Sequence, residues 1–198
     1  MEREEKATVA FDFAHTALIV IDMQNDFLVK GAPIECPGGL QIVESIHSLA
    51  ETFRQKNRPV IYTQEIHREQ QVDFGLELAY EEPLHCVEGS DGVEIFQGLC
   101  PKPEDYVIQK RRYSAFFATD LDLLLKGLDC HTLVLVGVAT DVCVRATAQD
   151  AQQYNYRVFV PQECVAGTSI EAHCGALNNI AYIFGNVLPV KTLMEMIV

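Results

Sequence analysis

Apolar runs too short for helices alternate with segments patterned as helices, and no other feature narrows the choice of architecture so far. "TALIVID" (16–22) is rich in β-branched residues and ends in an acid, which suits a buried parallel strand. A helix follows within 38–57, where Val43, Ile46, Ala50 and Phe53 recur at helical spacing. "RPVIYTQE" (58–65) and "DYVIQK" (105–110) read as the second and third strands. In "TDLDLLLKGLD" (119–129), Thr119 and Asp122 are spaced as a capping pair ahead of a helix. "HTLVLVGVA" (131–139) is the fourth strand, with helix after Asp141, and "YRVFVPQE" (156–163) is the fifth. Ser169 is placed to cap a helix over 170–185, and "NVLPV" suits a short sixth strand. Strands alternating with helices imply right-handed crossovers. The expected fold is therefore α/β: one Rossmann-like, three-layer domain over 1–198, with a mainly parallel sheet of about six strands covered by helices on both faces.

Composition narrows the partners. With 48% hydrophobic and 22% charged residues the chain reads as globular. Fifteen basic against 28 acidic residues give a formal charge of −13, which argues against nucleic acid and anionic membranes as partners. The charged start "MEREEKATVAFDF" lacks the apolar core of a secretory signal, and no apolar run is long enough to span a bilayer. A cytoplasmic location is the expectation. Seven cysteines without a C-x-x-C pair then read mostly as free thiols. Neither G-x-G-x-x-G, nor a P-loop, nor G-x-S-x-G occurs, so nucleotide-binding and serine-hydrolase readings lose their main support. The stretch 66–104 is long, irregular and rich in acids, Gly and Pro, as functional loops and lids are; its acids read as solvated surface.

In an open parallel sheet, ligands bind beyond the carboxyl ends of the strands. Those ends carry Asp22, then Glu65 with His67 just after, then Lys110, then the turn leading to Cys143. Cys143 by itself is open to four readings: core packing, metal ligand, disulfide partner or nucleophile. With Thr140 or Asp141 as N-cap it sits in the first turn of a helix, where unpaired N–H groups and the dipole favour a thiolate and can hold an oxyanion. Asp22 suits a general base or acid, or a loop cap. Lys110 suits an anion-stabilising charge, or one exposed member of "KRR". An acid, a base and a thiol converging on one rim carry more weight than any one of them.

"ALIVIDMQNDF", "KRRYSAFFATDLD" and "VLVGVATDVCVRATAQDA", in that order and spacing, resemble the isochorismatase-like cysteine hydrolases, which include nicotinamidases, N-carbamoylsarcosine amidases and isochorismatases. The resemblance runs from about residue 15 to about 185. It implies an Asp22–Lys110–Cys143 triad and a cis peptide between Val138 and Ala139 that aims the Ala139 N–H, with that of Cys143, at an oxyanion. It further implies cysteine-dependent hydrolysis of a C–N bond in a small amide or ureide through a thioester, with Asp22 moving the proton, and a homo-oligomer. The alternatives are vinyl-ether hydrolysis by Asp22 without the thiol, as in isochorismatases, and a non-catalytic oligomeric binding protein.

The triad requires no cofactor. Nicotinamidases, however, bind a metal through an Asp-x-His pair and a later His. Here Glu65, His67 and His85 offer a carboxylate and two imidazoles for zinc, iron or manganese, with glutamate in place of the usual aspartate. Phe27 and Tyr113 are candidate pocket walls. Arg112 is a candidate bidentate partner for a substrate carboxylate, or an exposed strand-end arginine.

Overall fold

The computed structural model describes residues 10–197; most of the charged N-terminal stretch lies outside them. Seven strands form one sheet, every pairing parallel: β1 (Thr16–Ile21), β2 (Val60–Glu65), β3 (Tyr106–Lys110), β4 (Thr132–Val138), β5 (Arg157–Pro161), β6 (Val165–Ala166) and β7 (Asn186–Leu188). The order is β3-β2-β1-β4-β5-β7, with β6 pairing the far end of β4. Chain order reverses between β1 and β4, and a crevice opens at such a switch point.

β1 is buried along its whole length, so its side chains divide between the two faces. Leu18 and Val20 enter one apolar layer, and Ala17, Ile19 and Ile21 the other. That division is why "TALIVI" is continuously apolar rather than alternating. Helices α1 (Asn25–Leu28), α2 (Val43–Gln55), α3 (Leu121–Gly127), α4 (Arg145–Gln153), α5 (Ile170–Asn179) and α6 (Val190–Met196) complete the layers. Helix α2 buries Ile46, Leu49, Ala50 and Phe53 against the sheet, while Val43 is only half-buried. The chain leaves α2 through Asn57 in the left-handed conformation (φ 54°), a common way to end a helix. The Ser169 side chain caps α5 by accepting the Ala172 N–H.

Two caps differ from expectation. Thr119 takes the Leu121 N–H, but Asp122 does not reach back to complete a capping box. Its carboxylate is held by Lys126 at 2.6 Å and the Tyr156 hydroxyl at 2.9 Å. After β4, neither Thr140 nor Asp141 caps the helix. One wide π-type turn, Thr140–Val144, precedes α4; Thr140 pairs with His173, and the Asp141 carboxylate accepts the Thr168 N–H and hydroxyl. Residues 66–104 contain three short 3₁₀ turns and fold back over the rim. Two of their acids are not surface charges: Glu77 is buried, and Asp73 is gripped by Arg68 and Arg111. Among the described residues, no helix is long and apolar enough to cross a membrane.

Candidate active site

The sheet brings four side chains to one point. Asp22 follows β1, Glu65 and Lys110 end β2 and β3 in register with each other, and Cys143 lies in the turn after β4. At its turn Asp22 takes a left-handed backbone (φ 49°), which aspartate tolerates better than branched residues. Gly137 is required beside it. A Cβ there would lie 2.1 Å from the Ile21 carbonyl oxygen, and its φ of +110° is glycine territory. Thr63 fixes the aspartate twice, accepting the Asp22 N–H at 3.0 Å and donating to Oδ1 at 2.6 Å.

Lys110 is fully buried and lies between two carboxylates. Its Nζ is 2.8 Å from Asp22 Oδ2, 2.7 Å from Glu65 Oε2 and 3.6 Å from Cys143 Sγ. The lysine is therefore not part of a solvated "KRR" run, and its two neighbours are half-buried against Asp73. The Val138–Ala139 peptide is cis, and Ala139 lines the cavity beside Cys143.

The shared burial sets the charges. Burial opposes the Lys110 cation, but Asp22, the thiol and Glu65 outweigh it and hold its pKa well above the ordinary lysine value. Burial likewise opposes the Glu65 anion, yet Lys110 and hydrogen bonds from the two histidines leave it well below the usual carboxylate range. Asp22 goes the other way: burial raises it, Lys110 only partly offsets this, and Glu65 raises it further. Cys143 is pushed well above its ordinary value by burial, against the pull of Lys110 and with Asp22 and Glu65 adding to the rise. The sequence reading of a helix start favouring a thiolate is thus outweighed. Burial disfavours the thiolate, and the thiol lies beside a lysine that Asp22 and Glu65 share.

Glu65 also faces the imidazoles. Its Oε1 is 3.0 Å from His85 Nε2 and 3.3 Å from His67 Nε2, and the three atoms lie within 4.8 Å of one another. Burial works against the His85 cation, but the Glu65 carboxylate outweighs it and lifts the pKa to about 8. Glu77 adds a buried carboxylate 3.8 Å from His67 Nε2.

Sequence reasoning missed Gln24, which is fully buried. Its amide donates to the Glu65 and Val93 carbonyls, each at 2.8 Å, and accepts the Glu65 N–H at 2.8 Å, tying the end of β1 to β2 and to the 66–104 segment. The glutamine in "MQNDF" was the available signal. Phe27 and Tyr113 do line the cavity, which has a volume of about 200 Å³ and also admits Cys143, Ala139, Glu65 and His85. Arg112 does not line it. Its Nη1 donates to the Asp73 carbonyl at 2.6 Å, and its guanidinium packs over Gly75.

Known proteins resemble the chain over most of its length. It is 37% identical over 165 residues to a protein described as a probable inactive nicotinamidase from Arabidopsis thaliana, covering 80% of this chain and 84% of that one. It is 30% identical over 181 residues to maleamate amidohydrolase from Pseudomonas putida, covering 90% and 85%. The pyrazinamidase of Pyrococcus horikoshii, solved in complex with zinc, superposes with a TM-score of 0.81 at 30% identity, covering 88% of this chain and 99% of that one. The isochorismatase domain model matches residues 16–192, and the chain belongs to that family of hydrolases.

Proposed function

We propose that the chain is a cysteine-dependent amidohydrolase that cleaves the C–N bond of a small amide or ureide through a thioester. The observation that carries this is a wholly buried Asp22–Lys110 ion pair with the lysine nitrogen 3.6 Å from a thiol that opens onto a cavity. A buried ion pair is poor support for stability alone, so its place beside a nucleophile is better explained by chemistry.

In this reading Asp22, with its raised pKa, accepts the Cys143 proton as Sγ attacks the carbonyl carbon. The backbone N–H groups of Ala139 and Cys143 hold the tetrahedral oxyanion, and Lys110 supplies positive charge nearby. As the C–N bond breaks, Asp22 delivers the proton to the departing nitrogen. Water, deprotonated by the same carboxylate, then cleaves the thioester and restores the thiol. The relatives' names, maleamate amidohydrolase among them, support an amide over an ether as the substrate.

Glu65, His67 and His85 fit a divalent ion. His85 Nδ1 faces the Pro83 carbonyl oxygen at 2.8 Å, which only accepts, so this nitrogen carries the hydrogen. Nε2 donates to Glu65 Oε1 at 3.0 Å, so an ion would bind at Nε2 in place of that shared proton, with Glu65 and His67 as its neighbours. Bound zinc, iron or manganese would supply Lewis-acid polarisation of an oxygen in the cavity. The test of the main reading is ammonia release from a panel of small amides and ureides by wild type and Cys143→Ala. Release confined to wild type supports it; release equal in both, or none from either, overturns it.

A further inference from the structure

The cavity wall carries charge of one sign. Glu35, Glu65 and Glu82 line it, and no lysine or arginine does among the described residues. The cations behind the wall are already matched. Lys110 is shared by Asp22 and Glu65, and His85 Nε2 sits 3.0 Å from Glu65 Oε1. A divalent ion at the imidazoles, together with Lys110, would be matched by Asp22, Glu65 and the buried Glu77, which leaves Glu35 and Glu82, both at the exposed mouth, as the carboxylates of the lining without a cation. Glu35 is also held in place, since its Oε2 accepts the Gly31 N–H at 2.7 Å.

The two arginines that could have balanced them face elsewhere. Arg111 Nε bonds the Asp73 carboxylate at 3.1 Å, and Arg112 is committed to the Asp73 carbonyl. A site that accepts a carboxylate needs a fixed guanidinium or ammonium to replace the water that the anion gives up. Here the rest of the wall is apolar, formed by Phe27, Ile34 and Val142. The chain's formal charge of −13 adds repulsion of the same sign.

We propose that this lining makes the enzyme selective for uncharged or cationic amides and excludes those that carry a carboxylate beside the scissile bond, with Glu35 and Glu82 as the discriminating residues. This rests on the hydrolase reading above and goes further, because relatives of this family include an enzyme named for maleamate, a carboxylate-bearing amide.

The test needs no known substrate. Native protein is labelled in parallel with iodoacetamide, a neutral amide, and with iodoacetate, its carboxylate counterpart, and each cysteine is quantified by peptide mass spectrometry. Exposed Cys100 and Cys174 report the intrinsic ratio of the two reagents in the same sample. At low ionic strength iodoacetate is disfavoured at Cys143, relative to Cys174, by about tenfold, since Glu35 and Glu82 repel it but are exposed at the mouth and partly screened by water. Salt narrows the gap. The Glu35→Gln/Glu82→Gln variant brings it to within about threefold. A Cys143 ratio equal to that of Cys174, or one unmoved in the double variant, would overturn the selectivity while leaving the hydrolase reading intact. A Cys143 that takes up neither reagent while Cys174 is fully labelled would overturn both, because a nucleophile must be reachable from the cavity.

Discussion

Replacing Lys110 by methionine removes the ammonium between two buried carboxylates and keeps the bulk of the side chain. At 2.8 Å and 2.7 Å, and an effective permittivity near 20, each ion-pair contact is worth about 6 kcal/mol, most of it offset by desolvation of the ions. Once the lysine is gone, Asp22 and Glu65 oxygens within 4.8 Å repel by about 3 kcal/mol on the same scale. That agrees with the roughly 3–5 kcal/mol lost when one partner of a buried pair is deleted. One carboxyl group then takes up a proton, so its folded pKa lies above its unfolded value. Such a group's contribution is fully present below the unfolded pKa and lost as pH rises through the folded one. In wild type, the depressed Glu65 contributes stability above its unfolded pKa and loses it as pH falls. The first effect makes the gap between wild type and variant grow from pH ~5 to pH ~8, while the second acts only below the ordinary carboxylate pKa, where it narrows the gap further. Urea unfolding followed by circular dichroism should show a loss of about 3–5 kcal/mol at pH ~8 that shrinks toward pH ~5, with an unchanged m-value. A gap below about 1 kcal/mol at pH ~8, or one independent of pH, would refute this account of the buried cluster.

Gly137→Ala forces a methyl group to within 2.1 Å of the Ile21 carbonyl oxygen at a φ of +110°. It should cost about 3 kcal/mol or prevent folding, and a melting temperature within about 2 °C of wild type would contradict the close approach of β1 and β4. Zinc binding measured by equilibrium dialysis should weaken at least about tenfold in His67→Ala and in His85→Ala, and affinities equal to wild type would remove these residues as ligands. Cys36 lines the cavity, but burial and the nearby Asp141 push its thiol up to about 12. Its hydrogen is held by the Ala166 and Gly167 carbonyl oxygens, with no base bonded to it as Asp22 is to Cys143, so it should stay unmodified by neutral alkylating reagents at pH ~8 while Cys174 and Cys143 are labelled; a rate comparable to that of Cys143 would contradict this.

The sheet was legible because its central strands pack on both faces. A continuous β-branched run such as "TALIVI" has few other folded homes, and parallel pairing then puts every strand's carboxyl end on one rim. The convergence of Asp22, Lys110 and Cys143 followed from that geometry, with little help from the residues' own propensities. What stayed hidden depends on partners far along the chain. Asp122 forgoes its cap because Tyr156, 34 residues on, competes for the carboxylate. Glu77 is buried because the 66–104 segment folds inward, which no local pattern announces. Arg112 turns from the cavity because Asp73, 39 residues earlier, offers a carbonyl. The direction of the Cys143 shift was equally non-local. The dipole of a helix start is a local favour, and two buried carboxylates brought in by other strands outweigh it.

Glu65 shows what a single methylene does to such a site. The resemblance implies an aspartate at the metal-binding position, and the glutamate here raises the question of what its longer arm gains. Its two oxygens face different neighbours: Oε2 reaches Lys110 at 2.7 Å, while Oε1 meets His85 at 3.0 Å and His67 at 3.3 Å. Gln24 holds the backbone of the same residue from both sides. One carboxylate therefore joins the lysine of the proposed triad to the imidazole pair, and the two cannot be tuned separately. An ion held by the imidazoles would draw charge from Oε1 and leave Asp22 as the stronger partner of Lys110. That lowers the proton affinity of Asp22, the group proposed to accept the thiol proton. Coupling of this kind is built into the side chain's length. On the proposed reading, the identity of residue 65 would tune the thiol as much as any ion held by the imidazoles.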